Sequence, residues 1–487
     1  MSTAKSTKIG KEKVAGKNRN ESGAQGCLIF LCWLVYTISY LSRYSYNSNI
    51  VAIRGVFGAD NAAAGLVGSM FFFAYGAGQI INGIFCKKYP KRLIVSLALG
   101  ASAAFNIAAG LLKSFAPFKF LWLINGAVLS LLWSSLILIL GENLSETNLK
   151  KAIFAMSTTV PAGMIVIYGF AAVCNRLGAF RPVFFFAGVA TFIVAAVWFM
   201  LYGKVSAAAK AEALAKDAKT AAKAEAGEAE TSAKKAALES RTKERVSEAL
   251  EKADGAEILT GRTAEAPAEA SGAQDVKKKA AVPVEGSQKR FGVPAVFFVL
   301  AGFAIVCNFV KDGLGTWLPA ILKDSFGFGD GLSVALTLVL PILGIFSASV
   351  ALVLHKKLDN FSAELSLEFA LAAVMLAAVL AAVGYRSAAL AVGCFGLTSL
   401  FMHAVNNVIT NMAPLMLREK MNPGFSAGLL NGFCYVGSTL SGYLLGAFSD
   451  AFGWNKTMTL LLILTAAAAV IAAGIAFLSR KKSVGRK

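Results

Sequence analysis

Charged residues are scarce in this sequence: only 16% of its 487 residues are Asp, Glu, Lys or Arg, whereas 56% are hydrophobic. This balance excludes an ordinary soluble globular protein, in which about 25% of the residues are charged. Histidine occurs twice, and the seven cysteines are scattered singly without a CxxC pair. We therefore expect no zinc or other metal site and no disulfide framework, and we interpret the cysteines as small buried hydrophobic residues.

The motifs of enzymes are also missing. The sequence has no glycine-rich phosphate loop, no dinucleotide fingerprint and no pair of catalytic carboxylates in a soluble domain. We therefore expect that the protein is not an enzyme, that it has no catalytic residues and that it needs no cofactor.

Long apolar runs dominate the sequence instead. An α-helix of about 20 largely apolar residues crosses the hydrocarbon core of a bilayer. Twelve such runs are present, six on each side of a polar stretch, so we predict an all-α membrane protein with twelve transmembrane helices. These helices are placed near residues 27–50, 62–86, 92–113, 117–141, 151–175, 181–203, 291–322, 328–354, 364–384, 387–416, 424–449 and 455–479.

The formal net charge of +20 comes from basic residues in the tails and at the ends of the apolar runs. They form no single patch with interleaved aromatic residues, so we expect no binding of nucleic acid. Basic clusters recur after every second helix, as at Lys87-Lys88, Lys150-Lys151 and Lys356-Lys357. Because loops rich in Lys and Arg face the cytoplasm, we predict a protein of the plasma (cell inner) membrane with both termini cytoplasmic.

Residues 204–290 differ sharply from the rest of the chain. This stretch contains no Phe, Trp or Tyr, and its 17 Lys and Arg nearly balance its 15 Asp and Glu. It cannot build a hydrophobic core, although the composition from Ala207 to Lys252 favours a helix. We predict a basic cytoplasmic tail at 1–26, a six-helix bundle at 27–203, a cytoplasmic linker at 204–290, a second six-helix bundle at 291–479 and a basic tail at 480–487.

The two bundles share features that duplication of one six-helix unit would produce. The first helix of each bundle carries a cation at similar depth, Arg43 and Lys311, and the second helix of each ends in a Lys-Lys pair. In the major facilitator fold, two parallel six-helix halves are related by an axis along the membrane normal, and the substrate site lies between them at mid-membrane. We predict this fold, with two pseudo-symmetric bundles.

Arg43 and Lys311 need a reason to lie inside the membrane, since a mid-helix Arg or Lys costs about 2.5 to 3.5 kcal/mol on insertion scales. Because their helices are equivalent in the repeat, we expect the two cations to face each other and to attract an anion. The alternative is that each cation pairs with a fixed carboxylate. Asp312 follows Lys311 directly, but neighbouring helical side chains point about 100° apart, so we expect that pair to be poor. Glu142 is peripheral.

Hydrogen-bonding side chains interrupt the apolar helices around the two cations. Tyr36, Tyr40 and Arg43 follow at i, i+4 and i+7, and so form one stripe of a helix. The candidate substrate-binding residues are Arg43, Lys311, Tyr40, Tyr36, Tyr75, Gln79, Asn308, His403 and Tyr435. Asp312 and His403 are the candidates for proton coupling, because each can titrate within the membrane. Packing explains each Tyr taken alone as well, and a structural hydrogen bond explains His403.

At these residues the sequence resembles the organophosphate:phosphate antiporters of the major facilitator superfamily, which exchange glycerol-3-phosphate or hexose-6-phosphate. The most specific matches are Tyr40-Leu41-Ser42-Arg43-Tyr44, Ala74-Tyr75-Gly76, Lys311-Asp312-Gly313 and Trp317-Leu318-Pro319. The resemblance implies that Arg43 and Lys311 bind a phosphoryl group and that Tyr40, Tyr75 and Tyr435 line the pore. The sequence departs from the family in having Lys311 instead of Arg, Gln79 where the glycerol phosphate exchanger has Lys, and no His in the fifth helix.

The resemblance implies a secondary active transporter of a small organic anion, in which a phosphate ester is exchanged for inorganic phosphate by alternating access. Two alternatives stay open at this point: a proton-coupled symporter of an organic acid, and a transporter-like sensor of sugar phosphate. The expected partners are the small anion and the lipid bilayer, and we expect the protein to be a monomer.

Overall fold

The computed structural model describes residues 23–85, 88–254, 294–358, 360–418, 420–421 and 423–484. The predicted tail up to residue 22, linker residues 255–290, residues 291–293 of the predicted second bundle, Lys87 and residues 485–487 lie outside the described part of the chain. Within the described ranges the regular structure is helical throughout, with no β-strand, so the prediction of an all-α protein is confirmed.

The helices of the N-terminal half begin at Ala24. They span Ala24–Tyr44, a short 3₁₀ turn at Asn47–Asn49, Ile50–Phe57, Asn61–Phe85, Lys91–Leu111, Phe118–Asn143, Glu146–Ser157, Thr159–Arg176 and Arg181–Asp254. The helices of the C-terminal half span Ala295–Phe326, Asp330–Leu336, Val339–Gly344, Ser347–Leu358, Phe361–Gly384, Ala388–Asn407, a π-helical segment at Val408–Met412, Ala413–Met416 and Pro423–Val484.

Eleven helical stretches within the described residues are long and apolar enough to cross a membrane. The last, Phe425–Leu478, has 54 residues, more than twice the length that one crossing needs. Gly453 divides it into two helices, because its backbone is not helical (φ 79°, ψ 167°). The described residues therefore contain twelve stretches long and apolar enough to serve as membrane crossings, as the sequence predicts, and the chain is an integral membrane protein.

We number these crossings as spans 1 to 12. Spans 1 to 6 are Ala24–Phe57, Asn61–Asn82, Lys91–Leu111, Phe118–Asn143, Glu146–Arg176 and Arg181–Ala218, and spans 7 to 10 are Ala295–Phe326, Asp330–Leu358, Phe361–Gly384 and Ala388–Met416. Spans 11 and 12 are the parts of Phe425–Leu478 before and after Gly453. The side of the bundle at which span 1 begins is called the near side, and the side at which it ends is called the far side. The sequence predicts that the near side is cytoplasmic, and this orientation stays a prediction.

The two halves repeat one another at the ends of their first spans. Span 1 ends at Phe57 and is followed by Gly58, while span 7 ends at Phe326 and is followed by Gly327. Both glycines have a left-handed backbone, with φ of 64° and 74°, which lets the chain leave the helix without a clash from a Cβ atom. Two equivalent stops of this kind agree with duplication of a six-helix unit.

The halves meet along two seams, span 2 against span 11 and span 5 against span 8. Small residues allow a close approach in the first seam: a Cβ atom on Gly65 would collide with the carbonyl of Gly442, and one on Gly76 would lie 2.6 Å from the Cβ of Tyr435. Lipid gives no hydrophobic drive for helix association, so such backbone contact supplies the attraction. Gly65 and Gly76 therefore permit the close contact between the halves.

Span 6 continues without interruption into the polar linker and ends at Asp254, so the predicted boundary at residue 203 is not a helix end. Just beyond the apolar part, the Glu212 carboxylate accepts a hydrogen bond from the backbone N–H of Gln25 (3.0 Å). The Gln25 side-chain oxygen in turn accepts from the backbone N–H of Ser145 (3.0 Å) and from Asn148 (2.9 Å). The near-side ends of spans 1, 5 and 6 are thus joined by one polar network.

Candidate functional site

Arg43 lies in span 1 and is almost fully buried, with 9% of its surface exposed. Its guanidinium carbon lies between 4.8 and 5.5 Å from the centres of five aromatic rings. These rings belong to Tyr40, Tyr44, Phe71, Phe72 and Tyr75. A cation over a ring face is stabilised by about 0.5 to 1 kcal/mol, and by about 2 kcal/mol where water is excluded.

The aromatic cage stabilises the charge of Arg43 but does not neutralise it. Within the described part of the chain Arg43 forms no ion pair with a carboxylate, and its buried Nε has no hydrogen-bond partner. Aromatic faces offer no acceptor for the planar fork of N–H donors, which fits phosphate or carboxylate. The sequence left two arrangements open, a site for an anion and a pair with a fixed carboxylate. Among the described residues, Arg43 has no such carboxylate partner.

Lys311, in span 7, is held differently. Its Nζ lies 3.5 Å from the Asp312 carboxylate, and the two side chains are 15% and 13% exposed. Asp312 also accepts a short hydrogen bond from the Ser438 hydroxyl of span 11. The expectation of a poor pair was wrong, because the long, flexible Lys side chain can bend toward a neighbour whose Cβ points elsewhere.

Tyr44 connects the surroundings of the two cations. Its ring is one of the five around Arg43 and lies 5.5 Å from the guanidinium carbon. Its hydroxyl interacts electrostatically with both Lys311 and Asp312. The residues predicted to face each other from spans 1 and 7 therefore have a common neighbour. The net charge of the group is positive, because one carboxylate accompanies two cations.

A chain of polar side chains continues from the cage across the seam between halves. The hydroxyls of Tyr36 and Tyr75 lie 3.4 Å apart, and Gln79 donates to Tyr75 (3.0 Å). Asn431 of span 11 donates to the Gln79 side-chain oxygen (2.9 Å), and the Tyr435 ring centre lies 5.1 Å from that of Tyr75. Four of the predicted residues, Tyr36, Tyr75, Gln79 and Tyr435, are thus joined in one network.

Asn308 and His403 lie in the C-terminal half, away from the Arg43 cage. Asn308, one turn before Lys311, donates to the Asn406 side chain of span 10 (3.0 Å) and to the carbonyl of Ala304. His403 Nδ1 lies 2.8 Å from the carbonyl of Ser399 in its own helix. The charges of Lys311 and Asp312 still act on His403, although its ring hydrogen bond is local.

Several participants escaped prediction from the sequence. Phe71 and Phe72 are unremarkable in an apolar run, and Asn431, Ser438 and Asn406 join the site only because the helices bring them there. A short stretch of sequence carries no signal for such contacts. The close grouping of polar residues within otherwise apolar span 11 was the one hint available.

The sequence also suggested that the carboxylates within the membrane are Asp312 and the peripheral Glu142. Glu142 is indeed peripheral and pairs with Lys91 at 3.3 Å. However, Glu364 and Glu368 in span 9 are both fully buried. Both acids lie in the first turns of a strongly apolar span, a position that usually marks the edge of the membrane, where acids face water. In the structure their side chains are instead buried inside the protein.

On the far side the N-terminus of span 2 is tied to span 11. The Asp450 carboxylate accepts hydrogen bonds from the backbone N–H groups of Asn61 (3.1 Å) and Ala62 (2.8 Å). The Asn61 side chain donates to Ser449 (3.0 Å). A carboxylate at a helix N-terminus satisfies free N–H groups and is favoured by the helix dipole.

A second far-side contact joins span 1 to spans 7 and 12. Arg54 pairs with Asp324 at 3.5 Å, and the indole of Trp454 donates to the same Asp324 oxygen (2.8 Å). Closer to the membrane centre, Asn47 donates to Thr316 (3.0 Å). We call the Asp450 and Asp324 contacts the far-side latch, because each one links the two halves.

The sequence profile of the Major Facilitator Superfamily matches residues 32–408, which is more than half of the chain, and the chain belongs to this family. This membership confirms the predicted fold and the expectation that the chain is not an enzyme. Curated relatives match over a shorter stretch. Over 98 residues the chain is 26% identical to the membrane sensor protein UhpC of Escherichia coli (strain K12), and over 99 residues it is 24% identical to a probable hexose phosphate transport protein of Chlamydia pneumoniae. In both cases the match covers 20% of this chain and 22% of the relative.

Solved structures resemble the chain over most of its length. A bacterial homologue of the human lysosomal transporter Spinster, in an inward-facing and occupied conformation, has a TM-score of 0.66 at 13% identity, with 94% of this chain and 97% of that one covered. The xylose transporter XylE from E. coli has a TM-score of 0.62 at 9% identity, with 92% and 98% covered. At these identities the likeness concerns the fold.

Proposed function

We propose that this chain carries a small organic anion across the membrane by alternating access, and that the anion is a phosphate ester exchanged for inorganic phosphate. The observation that carries the proposal is the buried guanidinium of Arg43, which is caged by aromatic rings and has no carboxylate partner among the described residues. An uncompensated cation in the membrane interior needs a mobile anion to offset its charge. The curated relative named as a probable hexose phosphate transport protein supports a phosphate ester in particular.

In this proposal Arg43 grips the anion with its planar fork, and Lys311 adds a point charge. The Asp312 carboxylate moderates the positive charge of Lys311, so that the site favours a singly or doubly charged anion without holding it irreversibly. Tyr75, Gln79 and Asn431 offer hydrogen-bonding groups to the neutral part of the substrate. Because these three belong to both halves, a bound substrate contacts both halves at once.

Exchange follows from electrostatics. Without an anion, two cations lie near a common neighbour, Tyr44, and their repulsion opposes closure of the halves around the site. A bound anion offsets this repulsion and permits the rocking motion that exposes the site to the other side. An empty carrier returns slowly for the same reason, so internal anion is needed for uptake of external anion.

The test is exchange in proteoliposomes loaded with inorganic phosphate, with labelled glucose-6-phosphate or glycerol-3-phosphate added outside. Uptake is expected with internal phosphate and not without it, and Arg43→Ala is expected to abolish uptake. Arg92→Ala is the matched control, because the Arg92 guanidinium also lies over an aromatic ring (4.2 Å from that of Phe199) but at an exposed position away from the site. Full activity of Arg43→Ala would remove the basis of the proposal.

A sensor is the second candidate, because one curated relative is named a membrane sensor protein. A sensor binds the same anion in the same cage but does not turn over. Thermal stabilisation of the purified protein by the phosphate ester, lost in Arg43→Ala and unaccompanied by uptake, would favour this candidate. Uptake driven by a pH gradient without internal phosphate would instead favour the proton-coupled symporter.

A further inference from the structure

Span 9 contains two acidic residues that the proposed anion site does not use. Glu364 and Glu368 are one helical turn apart and both have 0% exposed surface. They lie inside the C-terminal half, where the ring of Phe369 packs 5.6 Å from that of Phe303 in span 7 and Ser366 donates to the Ala469 carbonyl of span 12. Both acids are therefore enclosed by helices of this half.

The two carboxyl groups are satisfied unequally. Glu364 Oε2 lies 2.8 Å from His355 Nδ1 of span 8. Both oxygens of Glu368, by contrast, are buried without a hydrogen-bond partner within the described residues, and so is Glu364 Oε1. Burial of an ionised carboxylate without partners costs many kcal/mol, whereas a protonated carboxyl is neutral. Glu368 can therefore occupy this position only as a carboxylic acid.

The helices packed against span 9 bring few ionisable groups to this place. Span 8 contributes His355, and span 7 contributes Cys307, whose thiol interacts electrostatically with Glu368. Span 10 carries Cys394 and His403, and the His403 ring is hydrogen-bonded to the Ser399 carbonyl of its own helix. Residues 457–478 of span 12 carry no ionisable side chain. Among the residues whose side chains the structure describes, His355 is the one cation that forms an ion pair with either acid.

We propose that Glu368, together with Glu364 and His355, forms a proton-binding site inside the C-terminal half. His355 is the entrance, since its side chain is 46% exposed at the near-side end of span 8, while that of Glu364 is 1% exposed. A proton from solution is taken up by the imidazole and passes to Glu364, and Glu368 holds it as an O–H bond one turn deeper. The transfer changes only N–H and O–H bonds, and release reverses the same steps.

The proton site is linked to the anion site through span 7. Phe369, the neighbour of Glu368, packs against Phe303 of span 7 with 5.6 Å between the ring centres. Phe303, Cys307 and Lys311 follow at four-residue steps along span 7, so Cys307 lies between this contact and Lys311 on the same side of the helix. An ionised Glu368 would attract Lys311 and lower the positive potential that holds an anion, whereas a protonated Glu368 leaves that potential intact. Proton binding and anion binding therefore favour each other, and by reciprocity anion binding is accompanied by proton uptake. This linkage rests on the proposed function, but the existence of the proton site does not.

The first experiment needs no anion. Infrared difference spectra of the full-length protein in lipid, recorded over a pH titration in H₂O and D₂O, are expected to show a protonated carboxyl band that is absent from Glu368→Gln. Glu142→Gln, which removes an exposed acid, is expected to keep the band. Identical spectra of the wild type and Glu368→Gln over the whole titration would overturn the proton site, whatever the protein transports.

A second variant guards against misfolding of Glu368→Gln, whose amide would be buried without partners. Glu368→Leu keeps a similar volume and removes every polar atom, so we expect it to fold and to lack the same band. The melting temperature of the wild type is expected to fall relative to that of Glu368→Leu as the pH rises. The folded wild type holds a proton on Glu368 that the unfolded chain releases, so a higher pH favours the unfolded chain, and the Leu variant lacks this proton. Parallel pH profiles of the two proteins would contradict the proposal.

The linkage is tested with inorganic phosphate as the probe. As the pH rises, the affinity of the wild type for phosphate is expected to weaken relative to that of Glu368→Gln. The limit for one linked proton is about tenfold per pH unit. Since phosphate itself titrates, Glu368→Gln supplies the baseline. Equal pH profiles with an intact infrared band would overturn the linkage alone. Absence of phosphate binding at every pH would count against the proposed function and leave the proton site standing on the spectra.

Discussion

Lys311 is paired with its own chain neighbour, Asp312, at 3.5 Å, and Asp312 is held in turn by the hydroxyl of Ser438 from another span. The equivalent cation of the other half, Arg43, has aromatic rings in place of a carboxylate. The duplicated halves have therefore kept a cation at the same depth but treat its charge differently. The two cations are not interchangeable, and substitutions at the two positions should differ in effect.

A double-mutant cycle tests the pair. Lys311→Ala leaves Asp312 as an uncompensated negative charge near the anion, so we expect it to weaken phosphate-ester binding by more than tenfold. Asp312→Asn frees the charge of Lys311 and should strengthen binding. The double variant should bind better than Lys311→Ala alone, because the repulsive carboxylate is gone. Binding is measured by titration of the purified protein, and additive effects of the two changes would contradict the pairing.

Replacement of the caged arginine by lysine separates shape from charge. Arg43→Lys keeps one positive charge but loses the planar fork and its stacking on Phe72 and Tyr75. We expect about a tenfold or greater loss of affinity for the phosphate ester, with the protein still folded. Arg92→Lys at the membrane surface is the matched control and should bind normally. Equal affinities of Arg43→Lys and the wild type would show that the fork does not contact the anion.

Removal of one carboxylate of the far-side latch should shift the balance between conformations. Asp324→Asn weakens contacts to both Arg54 and Trp454, which together contribute about 1 to 2 kcal/mol, or about five- to thirtyfold in a conformational equilibrium. The buried Thr316 is the reporter. A Thr316→Cys protein is expected to react faster with a membrane-impermeant maleimide when Asp324→Asn is added, and mass spectrometry of the labelled peptide gives the rate. An unchanged rate would mean that the latch does not hold the far side closed.

The close approach of spans 2 and 11 gives a prediction about stability. A Cβ atom at Gly65 would collide with the Gly442 carbonyl and lie 2.7 Å from the Trp317 ring, so Gly65→Ala must push two helices apart. We expect a destabilisation of about 1 to 3 kcal/mol, measured as a lower melting temperature in detergent. Gly100→Ala in span 3 is the control, because no heavy atom lies within 4 Å of the added carbon. Equal melting temperatures of the two variants would contradict this packing.

The fold was accessible from the sequence because the bilayer imposes a length on every crossing and the chain repeats its features in two halves. The cations Arg43 and Lys311 were accessible because a charge stands out in an apolar run. The pairing of Lys311 with Asp312 was not, since the helical period describes where a Cβ points and not where a flexible four-carbon chain ends. The functional roles of both cations stay predictions.

The far-side latch and the buried acids of span 9 show a second limit of the sequence. Asp324 and Asp450 lie at the ends of apolar runs, where exposed charges are usual, and their partners are far along the chain. Glu364 and Glu368 lie near the start of an apolar run, where acids commonly face water. Only the packing of neighbouring spans distinguishes an inward-facing acid from a solvated one.

Spans 11 and 12 are joined by a single non-helical residue, Gly453, and should therefore move together. Helical backbone continues on both sides of it, so no slack loop separates Asp450 from Trp454, and these two residues contact span 2 and, through Asp324, span 7. A displacement of this hairpin therefore changes the contact of Asp450 with span 2 and the contact of Trp454 with Asp324 at the same time. An epitope tag or fluorescent insertion at this turn would uncouple them.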